Sequence, residues 1–64
     1  MEGWTCIFTS HNLYEVEIFR GILDENQITA VVVNKQDSAY LIGEYELHVR
    51  FEDALAANQI IKPV

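Results

Sequence analysis

The chain reads as an α+β domain, a three-stranded sheet with two helices packed on one of its faces. Three observations predict this. Residues 44–50 alternate strictly, with Tyr45, Leu47 and Val49 on one side and Glu44, Glu46, His48 and Arg50 on the other, the pattern of a strand packed on one face only. Residues 13–26 follow the helical period, and the predicted elements run strand, helix, strand, strand, helix.

Each element has its own grounds. Residues 4–9, Trp-Thr-Cys-Ile-Phe-Thr, are β-branched or aromatic at nearly every position and read as the first strand, with Trp4, Cys6 and Phe8 on one face. Ser10-His11-Asn12 carries turn and cap chemistry, and Asn12 followed by Glu15 has the spacing of a capping box. Stepping about 100° per residue, Val16, Ile18, Phe19, Ile22 and Leu23 fall in one apolar arc and Glu17, Arg20 and Asp24 on the opposite side. Gly21 stands in this helix at a cost of about 1 kcal/mol relative to Ala, and close approach of a neighbouring chain is one reason for a glycine there.

Residues 28–33 read as a second strand, apolar on both sides and hence covered on both. A last helix starts near Phe51, with Glu52 and Asp53 favouring its N-terminal dipole. Its narrow stripe is Ala54, Ala57 and Ile61, and Pro63 stops it.

The first two strands, joined by a right-handed crossover, lie parallel, and the third inserts between them antiparallel to both. That is a ferredoxin-like βαββα sandwich with the third strand central, lacking the plait's final strand, because only three residues follow the last helix. The missing strand leaves the first with unpaired main-chain groups, an edge ready to associate, so residues 4–9 are expected to pair with a second copy or with a peptide from another protein.

Composition bounds the function. All 64 residues form one domain, which at this size buries only about 60% of the surface its unfolded chain exposes. Four basic residues against ten acidic ones give a net charge of −6, a field that repels nucleic acid and anionic membranes. The longest purely apolar run, Ala30–Val33, is far short of the roughly 20 residues of a membrane span. With no basic and apolar leader pattern and a single cysteine, cytoplasmic residence is the simplest expectation.

Residues 34–43, Asn-Lys-Gln-Asp-Ser-Ala-Tyr-Leu-Ile-Gly, are too polar at their start to continue the second strand and read as its connection to the third. Two readings stay open. Asn34, Asp37 and Ser38 are residues that turns use for their own geometry. In the other reading the loop, with Asn34 at its start, recognises a protein partner or small ligand: Lys35 supplies a charge, Asp37 and Ser38 hydrogen bonds, and Tyr40 an amphipathic contact.

Residues 14–28, Tyr-Glu-Val-Glu-Ile-Phe-Arg-Gly-Ile-Leu-Asp-Glu-Asn-Gln-Ile, together with 34–40 and the stretch Gly43-Glu-Tyr-Glu-Leu-His-Val49, resemble a bacterial domain family of unknown function described as putative signal-transducing proteins. The resemblance spans nearly the whole chain and implies a reduced version of the PII-type nitrogen-signalling fold. In PII-like proteins the long connection between the second and third strands meets ligands and partners, a place held here by the much shorter 34–43 stretch. No glycine run cradles a phosphate and no basic set accompanies it, which argues against nucleotide binding.

No catalytic apparatus, metal site or cofactor is expected. Cys6, His11 and His48 are the one conceivable ligand or nucleophile set, but His48 sits on the polar face of its strand and Cys6 is assigned to the other, and the spacing is poor for zinc. Neighbouring carboxylates at Asp24-Glu25 and Glu52-Asp53 point about 100° apart on a helix, with nothing to desolvate either. The sequence thus reads as a non-enzymatic regulatory module or, alternatively, a structural association domain built on its bare first strand.

Overall fold

The computed structural model describes residues 2–37 and 42–62. Its elements are β1 (Trp4–Ser10), α1 (Leu13–Glu25), β2 (Ala30–Asp37), β3 (Ile42–Arg50), a 3-10 turn at Phe51–Asp53 and α2 (Ala54–Ile61). The sheet order is β1-β3-β2 with β3 antiparallel to both neighbours, the ferredoxin-like arrangement expected. Both helices pack against the sheet and against each other, on one face.

The core lies between these layers. Leu47 and Val49 on β3, Val16 and Leu23 on α1, and Ala57 on α2 are wholly buried, with Ile28 nearly so. Ile7, Phe8, Phe19, Ala30, Val32, Tyr45, Ala54 and Ile61 pack around them. Phe8 and Phe19 meet edge to face with ring centroids 4.7 Å apart, the arrangement that aromatic quadrupoles prefer.

Local chemistry fixes the ends of α1. Asn12 Oδ1 accepts from the Tyr14 N–H at 2.9 Å, satisfying one orphan donor of the first turn. The reciprocal half of the capping box does not form. Ser10 Oγ takes the Asn12 N–H at 3.0 Å instead, which frees Glu15 to line a pocket described below. At the other end the Ile28 N–H reaches Leu23 O at 2.9 Å and the Gln27 N–H reaches Asp24 O at 3.0 Å, the paired bonds of a Schellman motif. Leu23 and Ile28, the residues that close such a motif hydrophobically, are both in the core.

Three expectations need correction. The arc of α1 is narrower than its period suggests. Val16, Phe19 and Leu23 face the core, while Ile18 and Ile22 stand 47% and 36% exposed, in line with the exposed Tyr14, because the sheet and the short α2 do not cover the full width of the arc. Within the chain itself nothing crowds Gly21, where a Cβ would meet no atom within 4 Å. Within the described residues no helix covers the outer face of β2, and Val31 and Val33 are half-buried there.

The third correction concerns β1. Trp4, Thr5 and Cys6 pair with Arg50, Val49 and His48, but Phe8 pairs with Leu47, so Ile7 is an extra residue in a β-bulge. Beyond the bulge the faces of the strand exchange. Phe8 therefore joins the core beside Ile7, while Trp4 and Cys6 share the outer face with Arg50 and His48. Trp4 stacks under the Arg50 guanidinium, 5.6 Å from ring centroid to Cζ.

Candidate functional site

The stretch assigned to a connecting loop is mostly strand. β2 continues through Asn34, Lys35, Gln36 and Asp37, which pair with Tyr45, Glu44, Gly43 and Ile42. Its polarity did not prevent this, because an antiparallel ladder is held by main-chain bonds. Asn34 and Lys35 are exposed, so this end of the hairpin has no apolar space to fill at those positions. Lys35 opposite Glu44 adds a favourable cross-strand charge pairing. Of the residues predicted to recognise a partner, Asn34 and Lys35 therefore present themselves from a strand, and Asp37 is the last residue of β2. Ser38 and Tyr40 lie outside the described residues.

A second feature lies at the other side of the sheet. β1 is hydrogen-bonded to β3 alone within the described residues, so its far edge is open. Against it is a pocket of about 400 Å³ lined by Ile7 and Phe8 from β1, Glu15 and Phe19 from α1, and Asn58, Ile61 and Lys62 from the end of α2. Its floor is apolar, and Glu15, Asn58 and Lys62 supply a polar rim, the composition of a recognition cleft. The bulge builds this pocket. In a regular strand Ile7 and Phe8 would point to opposite faces, whereas here both turn towards the helices.

A third feature is a cluster on the outer face. One donor atom from each of Cys6, Glu46 and His48 lies within 4.8 Å of the others. His48 Nε2 is 2.9 Å from Glu46 Oε1, and the Cys6 thiol donates to Phe8 O at 3.5 Å. Burial pushes the Cys6 thiol above its ordinary value, and the charges of Glu46 and Glu44 push it further, against main-chain hydrogen bonds that pull it down. The conceivable set of Cys6, His11 and His48 changes accordingly: Cys6 does share a face with His48, and Glu46 rather than His11 completes the cluster.

Residues 4–64 match the family described as putative prokaryotic signal transducing protein. The chain belongs to this family. No curated protein and no solved structure gives a match. For this member of the signal-transducing family, no helix in the described residues is long and apolar enough to cross a membrane.

Sequence reasoning missed both the pocket and the cluster because each depends on the one-residue register shift in β1. The visible trace of that shift is the adjacent pair Ile7-Phe8, two large apolar residues in a strand otherwise alternating with hydroxyls.

Proposed function

We propose that this domain is a non-enzymatic, cytoplasmic signalling module that captures an extended segment of a protein partner along the open edge of β1. The observation that carries this reading is the coincidence of that edge with the apolar pocket floored by Ile7, Phe8, Phe19 and Ile61. An incoming strand gains main-chain hydrogen bonds from the edge, and a side chain seated in the pocket sets its identity. Glu15 and Lys62 on the rim select polar or charged neighbours of that anchoring side chain. The acidic body disfavours nucleic acid as the partner. A second copy of the chain, pairing β1 with β1, is the homo-oligomeric form of the same interaction.

A second reading keeps recognition of a partner or small ligand at the β2–β3 hairpin, supported by the exposure of Asn34 and Lys35 near its end. Capture from bacterial lysate with the wild-type chain, Ile7→Lys and Lys35→Ala separates the two, with circular dichroism to verify that each variant is folded. The edge reading expects the captured protein to be lost with Ile7→Lys and kept with Lys35→Ala. The reverse pattern moves the site to the hairpin. Light scattering at high concentration detects the homo-oligomer, and a strict monomer removes that form.

A further inference from the structure

The outer face of the sheet carries chemistry that partner capture does not use. We propose that Cys6, Glu46 and His48 form a binding site for a single zinc ion. Cys6 and His48 are directly opposed across β1 and β3, and Glu46 lies two residues from His48 on the same face of β3. Their donor atoms are within 4.8 Å of one another, on three side chains anchored to adjacent strands. Zinc–ligand bonds of about 2.0–2.3 Å in a tetrahedron place donors about 3.5 Å apart, so side-chain rotation alone closes the set around an ion.

Two further observations point to a cation. His48 Nδ1 is buried and has no hydrogen-bond partner, an unmet polar group on a ring whose Nε2 is occupied by Glu46. A metal ion that takes one ring nitrogen and displaces the Glu46 contact lets the ring re-orient and relieves this. The local charge also suits it. The Glu46 carboxylate, part of the cluster itself, attracts a dication.

The donor set identifies the metal class. One thiolate, one imidazole and one carboxylate are a mixed soft and hard set that suits zinc and lacks the all-oxygen character that magnesium or calcium requires. On binding, the Cys6 S–H bond breaks as the sulfur–zinc bond forms, and the proton passes to solvent. No electron is transferred. Three protein ligands leave a fourth position, which water takes, and the exposure of Cys6 keeps that position accessible to exchange.

The test is titration of the reduced 64-residue chain with Co²⁺, followed by displacement with Zn²⁺. The wild-type chain is expected to develop a thiolate-to-cobalt charge-transfer band that saturates at one metal per chain, releases a proton and is abolished by Zn²⁺. Cys6→Ser removes the band. His48→Gln and Glu46→Gln each weaken binding by about tenfold or more, the cost typical of losing a ligand or its close partner. All three positions lie off the core, and circular dichroism confirms that the variants are folded. Absence of the band in the wild-type chain overturns the proposal, as does a band of undiminished affinity in both His48→Gln and Glu46→Gln.

Discussion

Cys6 stands directly across from His48, whereas Phe8, two residues on, stands across from His48's neighbour Leu47. The residue between, Ile7, is the one that the ladder does not count. It sends Cys6 to the open face of the sheet and Phe8 to the core, and so creates both the outer cluster and the pocket beside α1. A single inserted residue thus separates two surfaces with different chemistry.

Deletion of Ile7 tests that relationship. The pairs on either side of the bulge become consecutive, so the shortened β1 keeps every partner on β3 and every side chain keeps its face. The chain is expected to fold, with a loss below the roughly 1.5–3 kcal/mol of a fully buried side chain, because Ile7 is only partly buried. Deletion of Thr9 instead makes Phe8 and Ser10 consecutive and breaks the register of the strand end, and should cost more. Urea denaturation of the two variants measures the difference, and equal losses contradict the bulge.

The sequence makes the central strand legible and the edge strand only half so. In β3 the alternation of Tyr45, Leu47 and Val49 with charged residues admits one register, because a slip of one residue would bury Glu46 and His48 and expose Leu47 and Val49, both fully buried. In β1 every residue is compatible with either face, so alternation does not locate the extra residue and assigns Cys6 to the wrong side. Polarity misled at Asn34–Asp37 for a related reason: side chains report burial, while strand pairing at a hairpin end is made by the main chain. Of the candidate site, exposure at Asn34 and Lys35 was foreseeable, whereas Glu46 as the partner of Cys6 and His48 required the register.

Gln27→Gly should stabilise the domain. Gln27 holds φ 66°, the left-handed conformation that a Schellman motif demands after Asn26, and a side chain with a Cβ is strained there. Glycine removes that strain at some cost in unfolded-chain entropy, for a net gain of about 0.5–1 kcal/mol. Thermal melting is expected to shift upward by several degrees, since about 1 kcal/mol moves a domain of this size by about 4–8 °C.

Gly21→Ala acts in the same direction by a different route. The added Cβ meets nothing within 4 Å and sits in the interior of α1, where alanine is favoured by about 1 kcal/mol. A rise in melting temperature is expected in dilute solution. If the same variant is unchanged or destabilised only at high protein concentration, a second chain packs against this helix face, alongside the exposed Ile18 and Ile22.

Asn12→Ala removes the side chain that caps α1 through the Tyr14 N–H. The expected cost is about 1 kcal/mol, and Asn12→Ser or Asn12→Asp should recover most of it because each restores an acceptor at the same place. Hydrogen exchange should locate the loss in the first turn of α1, at Tyr14 and Glu15, with protection of the β3 amides falling only as far as global stability falls.

Cys6 should be a slow nucleophile at neutral pH despite its exposure. Burial raises its pKa above the ordinary 9.0, and the charges of Glu46 and Glu44 raise it further, so the thiolate that attacks an alkylating reagent is scarce. Iodoacetamide at about pH 8 is therefore expected to modify the folded chain more slowly than the urea-unfolded chain. Glu46→Gln removes one of the raising charges and should accelerate the reaction at fixed pH. The same displacement carries a sign for stability: the folded state keeps a proton that the unfolded state has already released, so the contribution is present below pH 9 and falls away as pH rises through the folded value. Reaction rates that match in the folded and unfolded chains would place Cys6 in an environment no different from water, in conflict with its place beside His48 and Glu46.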